Sequence, residues 1–200
     1  MEKVDTYDRV RRALDQSGPG TSDFDLNPAD ARRENRTLRP AAVLLALLDT
    51  ASGPRVILTK RSSALKHHPG QIAFPGGKVE RGDGGAVRAA LREADEEIGL
   101  HRGNVEVFGT LPPHETVTGF GVTPVVARVR RPFGMRPEPG EVAEVFSVPF
   151  SHVAEPANFQ VQYRFWRGRR RCYFTVPYGP YYIWGATARI LRGLAERLAP

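Results

Sequence analysis

Residues 91–100, Leu91-Arg92-Glu93-Ala94-Asp95-Glu96-Glu97-Ile98-Gly99-Leu100, place four acids in five consecutive positions. On a helix advancing roughly 100° per residue, Val87, Leu91, Ala94 and Ile98 fall on one stripe, while Glu93, Glu96 and Glu97 gather on nearly the opposite side. Asp95 points elsewhere, beside Leu91. Like charges three or four residues apart cost about a few tenths of a kcal/mol per pair, so the grouping brings no stability by itself. A divalent cation would reverse the sign, because hard ions such as Mg²⁺ take oxygen ligands and carboxylates at i, i+3 and i+4 can converge on one or more of them. Arg92, four residues before Glu96 and adjacent to Glu93, is placed to orient a carboxylate without neutralising the set.

The stretch leading into this helix, Phe74-Pro75-Gly76-Gly77-Lys78-Val79-Glu80-Arg81-Gly82-Asp83-Gly84-Gly85, is rich in glycine. Its backbone can approach a ligand closely and can adopt positive φ where a side chain would clash. Asp83 is expected to cap the helix by accepting the free amides of the first turn.

Loop and helix together resemble the Nudix box, the signature of hydrolases that cleave a nucleoside diphosphate linked to another moiety. Gly77 matches the leading glycine; Arg92, Glu93, Ala94, Glu96, Glu97, Gly99 and Leu100 match the tail. Asp83 stands where the pattern has its first glutamate, and eight residues rather than seven separate it from Arg92. Upstream, Ile57-Leu58-Thr59-Lys60-Arg61-Ser62, Lys66, Gly70, Gln71 and Phe74-Pro75-Gly76-Gly77 resemble the signature that precedes the box in the coenzyme A pyrophosphatases of this superfamily. Lys66 replaces an arginine there, keeping the charge but losing the bidentate fork. The extra residue in the box is familiar from the same subgroup, and Tyr182-Ile183-Trp184-Gly185-Ala186-Thr187-Ala188 looks like the start of its last helix.

The resemblance implies a fold, a reaction and roles for particular residues. The fold is an α+β, Nudix-type α/β/α sandwich with a mixed β-sheet. Phosphoanhydride hydrolysis is dominated by positioning and charge neutralisation. The implied metal ligands for Mg²⁺ or Mn²⁺ are Glu93, Glu96, Glu97 and the Gly77 carbonyl, with Glu97 or Glu96 also orienting the attacking water and Arg92 supporting them. A general base can come from outside the box, where Glu115, Glu141 and Glu144 are candidates and Glu144 is preferred. Arg61, Lys66 and Gln71 are the implied substrate contacts. His67, His68 and His114 read as polar surface, with the Thr116–Gly121 loop bordering the pocket. The basic run Arg167–Arg171, near Tyr163, Trp166 and Tyr173, reads as a hairpin that lays its aromatics on a sheet and its arginines in solvent. Cys172 reads as a small apolar residue.

The elements that must position these groups follow from pattern and composition. Two hundred residues, 40% hydrophobic and 26% charged, suit one domain burying about 70% of its unfolded surface. The longest apolar run, Ala41–Leu48, is far shorter than the ~20 residues a membrane helix needs. The net charge is +7 and the isoelectric point near 10.0, carried by 25 arginines and four lysines dispersed along the chain. Such dispersion is compatible with a phosphate-bearing partner without requiring nucleic acid. One cysteine, and a start that does not read as a signal, point to the cytoplasm.

A helix is expected at 5–15, a long loop from Ser17 to Pro40, and strands at 41–48 and 55–59 joined through residues 49–54. Further strands are expected at 104–111, 122–130, 142–148, 159–166 and 170–176, with helices at 84–98 and 183–198. The expected organisation is an N-terminal helix and loop extension, 1–39, followed by a hydrolase domain, 40–200. The function so implied is metal-dependent cleavage of coenzyme A or a derivative into 3′,5′-ADP and 4′-phosphopantetheine. Other substrates (ADP-ribose, NADH, a nucleoside triphosphate) and a non-catalytic nucleotide- or RNA-binding module are the alternatives, and both monomer and homodimer stay open.

Overall fold

The structure, a computed structural model, describes residues 3–30, 37–166 and 168–199, without the side chains of residues 3–5 and 166. Arg167 and the Trp166 side chain of the basic hairpin therefore lie outside the described residues. In chain order the elements are α1 (Lys3–Asp15), β1 (Thr21–Ser22), β2 (Arg39–Thr50), β3 (Gly53–Arg61), β4 (Ile72–Ala73), β5 (Gly76–Lys78) and α2 (Ala86–Ile98). There follow β6 (Val105–Thr110), β7 (His114–Glu115), β8 (Phe120–Val129), β9 (Val142–Pro149), α3 (Phe150–Val153), β10 (Gln160–Trp166), β11 (Arg169–Thr175) and α4 (Ala186–Leu198).

The sheet is mixed. Strand β2 runs parallel to β8 along ten residue pairs and antiparallel to β3, which continues antiparallel into β9. The short β5 pairs with the start of β2, setting Gly77 opposite Ala42, and β6 and β7 both pair antiparallel with β8. Alternation along the strands divides the core between the two faces. From β2, Leu45 and Leu47 pack with Val56, Leu58 and Val126 against α1, α3 and α4, whereas Ala42, Leu44 and Ala46 pack with Ile57, Val125 and Ala127 under α2. Helices on both faces make this an α/β/α sandwich, as expected.

Three local readings are corrected. The β2–β3 connection shrinks to Ala51-Ser52 because the ladder extends to Thr50 and Gly53, where the Thr50 hydroxyl donates to the Gly53 carbonyl at 2.7 Å. Helix α4 starts at Ala186 rather than Ile183, because the preceding residues pair back onto β11: the Ile183 carbonyl accepts from Val176 N–H at 2.9 Å and from the Thr175 hydroxyl at 2.9 Å. Residues Ser17–Pro40 are not all loop, since Thr21 and Ser22 pair in parallel with His114 and Glu115.

The N-terminal segment is built into the domain. Tyr7, Val10 and Ala13 are buried in the same core as Leu191, Leu194 and Leu198 of α4. The Tyr7 hydroxyl donates to Asp49 at the end of β2, and Arg128 of β8 donates to the other oxygen of that carboxylate at 2.7 Å. Among the described residues no helix is long and apolar enough to cross a membrane.

Candidate active site

Helix α2 carries the acidic cluster, and Arg92 ties it to the glycine-rich loop. The guanidinium donates to both Asp83 oxygens (Nε at 2.8 Å, Nη2 at 3.1 Å), to Glu96 at 2.8 Å and to the Lys78 carbonyl at 3.3 Å, and stands 3.0 Å from Glu93. Asp83 does not cap the helix as expected. The N-cap is Gly85, which has no side-chain cap, and Gly84 and Gly85 at φ 66° and 132° carry the chain past the point where Asp83 could reach the first-turn amides. The Asp83 carboxyl lies below the usual carboxylate range because Arg92 and the Glu80 N–H both donate to it. At the other end, Gly99 in the left-handed conformation returns its N–H to the Asp95 carbonyl while Leu100 bonds back to Ala94, closing the helix.

The three glutamates do not share one solvated face. Glu97 is 4% exposed, while the Glu96 side chain is 59% exposed and paired with Arg92. Residues four apart set the division: Glu93 and Glu97 turn toward β5, Arg92 and Glu96 run along the neighbouring row. The Gly76 N–H donates to Glu97 Oε2 at 3.2 Å. A Cβ on Gly77 would lie 2.4 Å from Glu93 Oε1, so the carboxylate fills the space a side chain would need. Burial pushes the Glu97 carboxyl up to about 8, with the Gly76 amide opposing and the charges of Glu93 and Glu141 adding to the rise. Glu93 is raised as well, first by burial, against the counteracting Arg92.

Among the described residues no three His, Cys, Asp or Glu side chains converge as a cation cluster. The donor set nevertheless fits a hard divalent ion: two partly desolvated carboxylates crowd the Gly76-Gly77 backbone, every donor is oxygen, and their mutual repulsion leaves charge for a cation to neutralise.

Of the acids outside the helix, Glu141 is the one whose charge reaches both Glu93 and Glu97. The preferred Glu144 instead accepts from the Tyr181 hydroxyl, whose ring stacks on Phe146 at 3.6 Å. Glu115 sits in β7, paired with Ser22, away from the helix.

Beside the cluster lies a cavity of about 280 Å³. Arg61 lines it from the end of β3, His68, Gln71 and Phe74 from the loops around β4, Asp23, Asp25 and Leu26 from the N-terminal segment, Arg164, Arg171, Cys172 and Tyr173 from the β10–β11 hairpin, and Trp184 from the approach to α4. Arg61 belongs to both regions, since its charge is felt at Glu97. Lys66 is exposed and is not part of the lining. His67 and His68 are both exposed, as expected, but His68, at φ 54°, also lines the cavity, with its pKa lowered by desolvation and by Arg61.

The hairpin reading holds for Arg164, Arg169 and Arg170, which are exposed, and fails at Tyr163, Phe165 and Arg171. Tyr163 and Phe165 are exposed at 54% and 73%, while Arg171 is buried and sits directly across from Arg164, both on the cavity lining. Alternation holds, and the face that carries Arg164, Arg171 and Tyr173 is the one that borders the cavity. The N-terminal segment is fastened to this hairpin by Asn27, whose amide accepts from Cys172 N–H and donates to the Cys172 carbonyl, each at 2.8 Å. Cys172 is half-buried.

His114 is likewise not surface: it is fully buried, with Nδ1 2.8 Å from the Thr21 hydroxyl and Nε2 3.4 Å from Asp23. Burial would raise the Asp23 carboxyl, but His114, the Val117 N–H and Arg171 together hold it below the usual range. The one local signal for this wall is the alternation of Asp23, Asp25 and Asn27 with Phe24 and Leu26.

Comparison with known proteins agrees with this geometry. The NUDIX domain model matches residues 37–167. Proteins named "Uncharacterized Nudix hydrolase NudL" from Citrobacter koseri and from Escherichia coli strain K12 are 40% and 39% identical over 177 residues, covering 88% of this chain and 92% of each relative. A crystal structure of a Nudix hydrolase from M. smegmatis, RenU, superposes with a TM-score of 0.50 at 28% identity, over 58% of this chain and 73% of that one. The chain belongs to the Nudix hydrolase family, whose members act on nucleoside diphosphate derivatives at phosphoanhydride bonds. These enzymes generally use divalent metals such as Mg²⁺ or Mn²⁺.

Proposed function

We propose that this protein hydrolyses the diphosphate of coenzyme A or its derivatives, releasing 3′,5′-ADP and 4′-phosphopantetheine or its acyl form, with Mg²⁺ or Mn²⁺ bound. The observation that carries the reading is the crowding of Glu93 and Glu97 against the Gly76-Gly77 backbone, an arrangement that costs stability unless a cation is held there. Glu93, Glu97 and the Gly77 carbonyl would hold it, with Glu96 on the solvent side. A cation so held supplies charge neutralisation for the phosphates and lowers the pKa of a bound water.

The remaining work falls to the chain's own groups. Arg92 fixes Glu93 and Glu96 relative to the loop, and the Gly76 amide orients Glu97. Glu97 or Glu96 orients the attacking water. For accepting its proton from outside the helix, Glu141 is favoured over Glu144, because its charge reaches the cluster while Glu144 is engaged by Tyr181.

Support for the coenzyme A class comes from the residues preceding the box and from the cavity they open onto. Arg61 and Gln71 line that cavity; Lys66 would have to act from outside it. Flat rings and cations in a space of about 280 Å³ suit a small nucleotide better than a nucleic acid. In this reading residues 1–39 extend a hydrolase domain of residues 40–200 and contribute one wall of its substrate cavity. A cytoplasmic location accompanies it.

The test is mass-spectrometric product analysis with Mg²⁺ or Mn²⁺ and, separately, coenzyme A, ADP-ribose, NADH and nucleoside triphosphates. Fastest release of 3′,5′-ADP and 4′-phosphopantetheine is expected. Preferential cleavage of another substrate would replace the coenzyme A reading with that substrate, and no cleavage of any would favour a nucleotide-binding module.

A further inference from the structure

We propose that Arg164, seated over the Trp184 ring, is the specificity-determining cation for a phosphomonoester on the nucleotide's ribose, a second anionic group separate from the diphosphate under attack. The inference rests on the reading of the site as a hydrolase of coenzyme A-type diphosphates. Both of the acids that line the cavity are already matched: Asp25 accepts from Arg189 at 2.6 Å, and Asp23 is held by His114, the Val117 N–H and the charge of Arg171.

Two lining arginines, Arg61 and Arg164, have no carboxylate at ion-pair distance among the described residues. They divide by position. Arg61 sits on the side of the acidic cluster, where Glu97 feels its charge, and belongs with the diphosphate. Arg164 sits on the hairpin, its guanidinium 4.7 Å from the centre of the Trp184 ring.

Arg164 lies directly opposite Arg171, whose charge is set against Asp23, so the uncompensated cation of this cross-strand pair is Arg164. A phosphomonoester is close to a dianion at neutral pH and presents acceptor oxygens to the guanidinium fork. The rings of Trp184 and Tyr173, 5.2 Å apart and edge to face, border the same space and suit the attached base. Lys66, one of the substrate contacts implied by the resemblance, is outside the cavity.

The experiment compares coenzyme A with dephospho-coenzyme A, which lacks only that phosphate, in the wild type, Arg164→Ala and Arg170→Ala. Arg170 is on the same hairpin but lies over Tyr163 at 4.2 Å and is not on the cavity lining, so it controls for loss of charge and for folding. The wild type should prefer coenzyme A in kcat/KM, through KM, and Arg164→Ala should erase about tenfold of that preference, the worth of one charge-assisted hydrogen bond. Arg170→Ala should keep it. A wild type with no preference, or Arg164→Ala losing equally on both substrates, overturns the proposal while leaving diphosphate hydrolysis intact.

Binding of 3′,5′-ADP against 5′-AMP, followed by calorimetry, decides independently of turnover. Tighter wild-type binding of 3′,5′-ADP that Arg164→Ala abolishes supports the assignment even if the diphosphatase reading fails. Equal binding of the two by the wild type overturns it.

Discussion

Glu93 occupies the volume that a side chain on Gly77 would fill: the missing Cβ would stand 2.4 Å from Oε1 and 2.6 Å from Cδ. The glycine is therefore a condition for the carboxylate's position. Gly77→Ala should displace Glu93 from the loop, cost about 1–3 kcal/mol through overpacking and lower kcat with coenzyme A more than it raises KM. Urea melts and steady-state kinetics on the same preparation check both halves; wild-type kinetics would show that Glu93 does its work elsewhere.

Arg92 and Asp83 form one unit with Glu96. Arg92→Lys keeps the charge but cannot donate to both Asp83 oxygens while reaching Glu96. Its expected effect on turnover is a loss close to that of Arg92→Ala, and Asp83→Ala added to either should cost little more. A double-mutant cycle in kcat/KM reads this directly, and full additivity would separate the loop from the helix.

Glu97 makes the stability of the metal-free protein depend on pH. Its carboxyl is raised from an ordinary value near 4.5 to about 8 in the folded chain. Between those values the folded state holds a proton that the unfolded state has released, so stability falls as pH rises. The contribution is fully present below about pH 4.5 and is lost by the time pH has passed about 8. Thermal melts in chelator should show this decline in the wild type and a shallower one in Glu97→Gln. Adding Mg²⁺ or Mn²⁺ at pH 8.5 should raise the wild-type melting temperature and leave Glu97→Gln almost unmoved.

Asn27 joins the N-terminal wall of the cavity to the β10–β11 hairpin through two 2.8 Å bonds with Cys172. Asn27→Ala removes both and leaves the Cys172 peptide groups to water, at a cost of about 1–3 kcal/mol. KM for coenzyme A should rise with kcat largely kept, since the acidic cluster is on other elements. Hydrogen exchange at residues 21–27 and at β11 should quicken together; an increase confined to one of them would mean that Asn27 is not the link.

The sequence by itself determined the order of the long helices α1, α2 and α4 and of the longer strands, the alternation that builds β2, β3 and β8, and the acidic helix behind a glycine-rich loop, because all of these rest on local periodicity and spacing. It also determined that Gly76, Gly77, Arg92, Glu93, Glu96 and Glu97 belong together, since they lie within one loop–helix unit. What it could not determine was which glutamate is buried. That depends on β5 lying along one flank of α2, a contact made by strand pairing with β2 some 35 positions upstream, so Glu97 is desolvated while Glu96, one residue away, stays in water.

Only the tertiary structure decided the substrate wall. Asp23, His68, Arg164, Arg171 and Trp184 come from four separate segments and meet because the hairpin and the N-terminal segment fold over the same end of the sheet. The same packing left Lys66 outside, turned Glu144 to Tyr181 and put Arg164, Arg171 and Tyr173 of the hairpin on the cavity, with Tyr163 and Phe165 outward. Alternation within a strand says which residues share a face; which of the two faces is covered depends on what the rest of the chain brings against it.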